Sequence, residues 1–311
     1  MAFNRAKNAI KSPWTITTPF HPLSGESIKM TTNGNGNDHK YFLEHDGPEH
    51  DRLTFQHRAL LQMLHGQAIH APLQAPAKIL DIGCGTGVMT VLLAKRFPAA
   101  HVIGVDLAPV PEAFTKPDNV TYMQGSFSDL VSTGKLEKGS FDFVFSRMLV
   151  FGIQDWNSYV KNVAALLKHG GWTEMQDLDT RARNRDSILA HQDNVFEKTM
   201  VSVMADQGMD ATCGINLPTY MTSAGLQVGG HEFVPWVLKS FKSRPETELM
   251  AQHTQSGSMT TAVVLALEKM MASERYSREL VKEAQESVKS LWGNAEDGEH
   301  MRYYICYAQK P

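Results

Sequence analysis

The sequence predicts an α/β fold built on a seven-stranded, mostly parallel sheet with helices on both faces. Three observations predict it. Apolar runs near 78–83, 101–106, 119–124, 141–146 and 172–177 alternate with helix-period segments, the rhythm of consecutive βαβ units. The first run enters a loop with glycine at three alternate positions, Gly83, Gly85 and Gly87. The second run closes on an acid, Asp106. Two later β-rich runs, Gln227 to Val234 and Met301 to Tyr307, bring the strands to seven.

Taken in order, residues 1–40 are rich in Thr, Asn, Gly and Pro, and 31–38 (TTNGNGND) reads as a flexible linker. Trp14, Phe20, His21 and Pro22 are unusual in pure linker, which leaves a lid over the active site open beside a plain tail. Residues 51–66 read as an amphipathic helix with Leu53, Leu60, Leu61 and Leu64 on one side. The run Ile79-Leu80-Asp81-Ile82 then meets the glycine loop. Glycine permits φ > 0 and lets a ligand approach without a Cβ in the way. A helix N-terminus beyond it presents free N–H groups. The pattern is D-x-G-x-G-x-G, with its third glycine one position early for the GxGxxG of dinucleotide sites.

Asp106 follows Gly83 by 23 residues, close to the spacing at which an acid on the next parallel strand accepts ribose hydroxyls. Asn119 to Phe127 gives the third strand and its exit, and Phe141 to Arg147 the fourth. Asp155-Trp156 opens a helix with apolar Val160, Val163, Ala164 and Leu167, which Gly170-Gly171 is expected to end. The strand Trp172 to Asp177 follows directly. Residues 184–207 read as a helix, Leu217 to Met221 as a short one stopped by Gly225, and 244–291 as helical with a break near Ser273.

Composition excludes several classes. A chain of 311 residues, 42% hydrophobic and 20% charged, suits a globular domain with a buried core. A net charge of −3 gives no reason to expect nucleic acid or an anionic membrane. Three scattered cysteines, Cys84, Cys213 and Cys306, point to a reducing compartment and to neither a disulfide framework nor a metal site. No apolar run approaches a membrane span and no secretory h-region stands at the N-terminus, so a cytoplasmic location is expected.

The glycine loop, with Asp106, the "FD…R" strand and the "LLKHGGW" segment, resembles class I S-adenosylmethionine-dependent methyltransferases. His169 stands in the place of that family's usual proline. Tyr41-Phe42-Leu43, Asp51 to His57, "VIGVDLAPV", "FSRML" and "GIQDW" are together similar to the fungal LaeA-like group, over about residues 41 to 179. The resemblance implies a Rossmann-like fold with helical lid insertions and S-adenosylmethionine as cofactor. It divides the chain into a flexible segment 1–40, a helical cap 41–75 and a methyltransferase domain 76–311 with substrate walls at about 180–226 and 237–295. It places Asp81, Gly83 and Gly85 at the donor's amino-acid end, Asp106 and Leu107 at the ribose, and Ser126 and Phe127 at the adenine. Phe127 reads equally well as a core aromatic, and Ser126 stands where the family often carries Asp. Ser146 and Arg147 close the strand-four side. Tyr41, Arg52 and His57 are candidates to frame the donor's carboxylate or the substrate, with a surface ion pair in the Glu49-His50-Asp51 cluster as the equal alternative for Arg52.

A general base is not singled out among thirteen histidines; His21 and His57 are the catalytic candidates, lying N-terminal to the core, with His191 and Asp177 behind them. Eight of sixteen methionines lie between Met200 and Met271. They suit either a pocket for a bulky apolar metabolite or, the favoured reading, helix packing. The expected activity is methyl transfer to O or N of a small, hydrophobic secondary metabolite. A LaeA-like regulator acting through a protein partner, or a donor-assisted cyclase without transfer, is the alternative, and a homodimer is left open. The glycine spacing disfavours a nicotinamide dehydrogenase.

Overall fold

The computed structural model describes residues 47–111, 116–272 and 275–311. The candidates Tyr41 and His21, the expected lid and Ser273 lie outside them.

Strands β1 (Lys78–Ile82), β2 (His101–Asp106), β3 (Val120–Gln124), β4 (Phe141–Arg147), β5 (Leu167–Arg183), β6 (Gln227–Val237) and β7 (His300–Gln309) form one sheet in the order β3-β2-β1-β4-β5-β7-β6. The first five run parallel, and β7 inserts antiparallel between β5 and β6. Alternation along the strands feeds two cores, because side chains two apart share a face. Ile79, Val102, Phe143 and Phe145 bury on one face with Met89 and Leu93. Leu80, Val105, Val144 and Met175 bury on the other. Helices are α1 (Gly47–Met63), α2 (Val88–Arg96), α3 (Phe127–Ser132), α4 (Trp156–Leu166), α5 (Val195–Asp206), α6 (Cys213–Ser223), α7 (Glu248–Gln255), α8 (Gly257–Met270) and α9 (Arg278–Gly293).

Four expectations are corrected. First, α4 stops at Leu166 rather than at Gly170-Gly171. Its last carbonyls are shared out instead: the Gly139 and Ser140 amides donate to Ala165 O and Leu166 O at 2.9 and 3.0 Å, and the Lys310 ammonium donates to Ala164 O and Leu167 O at 2.8 Å each, a cation at the negative end of the helix. Residues 167–171 then pair or bulge against β4. Second, helix 184–207 is shortened to α5. The Asn184 side chain accepts from the Asp186 and Ile188 amides at 3.0 Å, a local turn that competes with helix. Ser187 and His191 sit at φ 62 and 56, and Asn194 caps α5 by accepting from the Phe196 and Glu197 amides. Third, 244–291 is three helices. Ser256 is extended (φ −65, ψ 144) and accepts from Met259 N, so α8 starts anew. Fourth, α1 buries a polar stripe of Glu49, Arg52, Gln56 and His57 ahead of Leu60 and Met63. The leucines alone do not define its inner face.

All eight methionines from Met200 to Met271 are buried in the main core. They pack helices. The second region expected as a substrate wall supports α1: α7 and α8 pack on it, with Phe55 stacked on His253 at 5.7 Å.

Glu197, on α5, accepts from the Ala182 amide with both oxygens at 3.2 and 3.3 Å. Burial pushes its carboxyl up to about 7, against the pull of the Ala182 hydrogen bond and His191. The unfolded chain releases that proton near pH 4.5, so the stabilisation is full below that and is lost as pH rises through about 7. Glu197→Gln, which imitates the protonated acid, should therefore gain on the wild type from pH 5 to 8, by up to about 3 kcal/mol. Urea unfolding of both across that range checks it; a constant difference refutes it.

Candidate functional site

The site forms where β1, β2 and β4 end. Gly83, Gly85 and Gly87 all adopt left-handed φ values of 67, 55 and 76, a conformation that costs other residues roughly 1–2 kcal/mol. The Gly83 and Cys84 amides both donate to Val105 O, at 2.8 and 3.0 Å, fastening the loop to β2. A Cβ on Gly83 would overlap the Leu149 side chain, and one on Gly87 the Tyr122 hydroxyl. Gly87 caps α2 with no side-chain hydrogen bond of its own. Gly83→Ala combines the backbone and overlap costs and should destabilise by about 2–4 kcal/mol. It should recover part of that with Leu149→Ala, measured by chemical unfolding; full additivity would remove the contact argument.

Asp106 holds the loop from the other side. Gly85 N–H donates to its Oδ2 at 2.8 Å and Ala108 N–H to its Oδ1 at 3.0 Å. Asp81 is buried at the end of β1 and accepts from Thr90 Oγ1 at 2.6 Å. Burial pushes its carboxyl up to about 6, although the Thr90 hydrogen bond and Arg147 pull it down. Two buried hydroxyls at the cleft lack a hydrogen bond among the described residues, Thr86 Oγ1 in the loop and the Tyr159 phenol on α4. Ser146 lies beside Tyr159 without reaching bonding geometry.

These elements enclose a cleft of about 350 Å³. Asp81, Gly83 and Gly85 line its floor, with Asp106 and Leu107 on the β2 side, Ser126 and Phe127 on the β3 side, and Arg147 at β4. Phe127 also packs edge-on against Tyr159 at 5.3 Å, a core contact made from the edge of the cleft. Beyond Arg147, Met148 is held at φ 56. The Asp177 carboxylate accepts from Leu149 N at 2.7 Å and Leu178 N at 3.0 Å. The loop so fixed turns Leu149, Phe151 and Ile153 to the cleft. Among the described residues, every one that lines it lies between Leu53 and Asn162.

Other sequence candidates sit elsewhere. Ser146 is buried behind the cleft wall. Arg52 does not line the cleft; it pairs with Glu49 through Nε and Nη2 at 2.6 Å each, and donates from Nη1 to Gln56 Oε1 at 2.9 Å. The pairing anticipated for Arg52 is thus with Glu49, but it is buried. His57 is also off the cleft. Its Nδ1 accepts from Arg147 Nη2 at 2.9 Å, which requires the proton on Nε2 because guanidinium only donates. Burial, then Arg147, pushes its pKa down to about 3. A base role for His57 is therefore corrected: its lone pair is already engaged. Asp177, likewise, spends its oxygens on backbone amides, and His191 binds Glu299 at 2.8 Å. Sequence reading missed Gln56, Tyr159 and the 148–155 wall. Gln56 stands beside His57 in the same quoted motif.

Residues 53–211 match the methyltransferase domain family. The chain belongs to that family. It is 31% identical over 157 residues to methyltransferase str2 of Strobilurus tenacellus, covering 50% of this chain and 53% of that protein. It is 29% identical over 171 residues to the protein-methionine methyltransferase laeA of Emericella nidulans, covering 55% and 44%. The chain thus spans about half the length of the curated relatives it matches. The crystal structure of the [4+2]-cyclase SpnF shares the fold, with a TM-score of 0.50, 18% identity and 82% of each chain covered.

S-adenosylmethionine is the cofactor that the resemblance implies, and the residues present suit it. The loop's three glycines hold left-handed φ values, an acid tips β2, and two buried hydroxyls at the cleft have no partner among the described residues. Among the described residues no helix is long and apolar enough to cross a membrane.

Proposed function

We propose that the protein transfers a methyl group from S-adenosylmethionine to an oxygen or nitrogen of a small, hydrophobic secondary metabolite. The observation that carries this reading is the left-handed glycine loop clasped by Asp106 and facing the apolar wall of Leu149, Phe151 and Ile153. Both the str2 and laeA relatives carry methyltransferase names.

When bound, the cofactor supplies an electrophilic methyl on a positively charged sulfur. Methyl transfer is an in-line displacement, so catalysis rests mainly on alignment. Asp106 has lone pairs beyond its two amide bonds for the ribose hydroxyls. Phe127 covers the adenine side, and the strained Met148 turn, pinned by Asp177, holds the apolar wall that excludes water. Asp81 places a carboxylate under the loop, near the positive sulfur. Among the described residues, the cleft lining contains no histidine, so an acceptor that arrives ionised or as a free amine fits without a base from those residues.

The test is purified protein with methyl-labelled donor and an organic extract of a fungal culture. The expected result is a labelled product one methylene heavier than its precursor. Donor binding with no label in any component of the extract, or a product isomeric with its precursor and donor unconsumed, would replace this reading with regulation or donor-assisted cyclisation.

A further inference from the structure

We infer that the sheet face carrying Phe233 and Arg302, at the β6 and β7 edge, docks a segment of a partner protein that presents a carboxylate between apolar side chains, with Arg302 as the anchor. Exposed apolar residues single out this region. Outside the cleft, four large hydrophobic residues among those described are exposed: Ile188, Val201, Ile215 and Phe233. Contacts link three of them. Register sets Phe233 directly opposite Tyr304, and His231 and Arg302 lie two residues away on that same face. The His231 ring stacks on Tyr304 at 4.8 Å, and its Nε2 meets Gly214 O at 3.1 Å, one residue before Ile215 on α6. On the other side the Arg302 guanidinium lies 4.3 Å over the Phe233 ring and reaches toward Ser187 O, next to Ile188. Helix α6 packs on β5, β6 and β7, yet Phe233 stays 43% and Ile188 62% exposed. Aromatic and aliphatic side chains grouped around an arginine have the composition of an interface centre, and apolar residues gathered in one place call for a cover.

Arg302 decides what covers them. A guanidinium offers five N–H donors, and those of Arg302 are poorly used. Its Nε is buried without a partner, and its contacts to the Tyr304 hydroxyl and Ser187 O are both as long as 3.5 Å. The acid opposite it in register is Asp179, whose oxygens are held by Arg181 and Arg183 at 2.7–2.8 Å. Among the described residues no carboxylate pairs with Arg302. Stacking on Phe233 keeps the guanidinium in one plane. Its free N–H groups therefore suit a carboxylate, the anion that such a fork binds through parallel hydrogen bonds. An acid flanked by apolar residues satisfies Arg302 and covers Ile188 and Phe233 in one step. A neutral apolar segment would bury the guanidinium with its donors unmet, which is costly.

The test uses the full chain and, as probe, random dodecapeptides displayed on phage. The recovered peptides should share an Asp or Glu beside apolar residues. Synthetic copies should bind the wild type, bind about tenfold or more weakly to Arg302→Gln and to Ile188→Asp, and weaken as salt is raised. Changing the peptide's acid to its amide should cost the wild type the same tenfold and cost Arg302→Gln nothing further. Urea unfolding reports whether each variant folds, and Ile188→Asp, at an exposed position, keeps the test in force should Arg302→Gln not fold. Recovery of no peptide, peptides without an acid, or equal binding to wild type and variants overturns the inference. Sedimentation showing a wild-type dimer that Ile188→Asp dissociates also overturns it, since the face would then belong to a second copy of this chain.

Discussion

Asp106→Ala should weaken binding of S-adenosylmethionine by about 100-fold or more, the largest effect expected of any single change in the cleft. The carboxylate does two jobs. It accepts the Gly85 and Ala108 amides, so it sets the curvature of the glycine loop, and its free lone pairs face the position proposed for the ribose. Hydrogen bonds to a charged group contribute roughly 1.5–3 kcal/mol each, and losing two at the ligand gives about 3–6 kcal/mol. Each 1.4 kcal/mol is a factor of ten, hence the estimate. Asp106→Asn should fall between, since one oxygen survives while its NH₂ confronts a backbone donor. Calorimetry with S-adenosylhomocysteine, and with NAD as a nucleotide control, measures this directly. Affinity of the alanine variant within threefold of wild type would remove Asp106 from the ribose.

The acid-tipped strands and the glycine loop were legible because each depends on local chemistry. A short apolar run gives a buried parallel strand, and D-x-G-x-G-x-G admits few other backbones. Elements decided by distant partners were not legible. Lys310 helps cap α4 from 146 residues away, and the glycines at 170 and 171 imitate a helix stop in its place. Ser187 and His191 look compatible with helix until the Asn184 turn is seen. The polar face of α1 is the clearest case: the resemblance makes Arg52 and His57 ligand candidates, yet Glu49 and Arg147 claim them. Their influence reaches the cleft through Gln56 and Arg147, one side chain further on. The methionine-rich helices pose the same problem, because a soft apolar side chain serves a pocket or a core equally well.

Asp179→Ala should lower the free energy of unfolding by about 3–5 kcal/mol, the cost of breaking a buried ion pair from one side. Asp179 has no exposed surface. Its Oδ2 accepts from Arg181 Nη2 and Arg183 Nη2 at 2.7 Å each, and its Oδ1 from Arg181 Nε at 2.8 Å. Burial alone would push this carboxyl up, but the hydrogen bonds and charges of the two arginines prevail and hold it below the usual range. Arg183 is itself only 4% exposed; without Asp179 its guanidinium keeps a bond to Arg181 O but loses this carboxylate. Arg181 is the more exposed partner and loses less. The double variant Asp179→Ala with Arg183→Met should therefore recover half or more of the loss, because no buried cation then remains. The sign with pH follows from the lowered pKa: the stabilisation is present above the unfolded value near 4 and disappears as pH falls through the folded value. The gap between wild type and Asp179→Ala in urea unfolding should accordingly be full at pH 7 and narrow below pH 4. A single-variant cost under about 1 kcal/mol, the range of a surface pair, would mean that water reaches Arg183 and that β5 is not anchored here by charge.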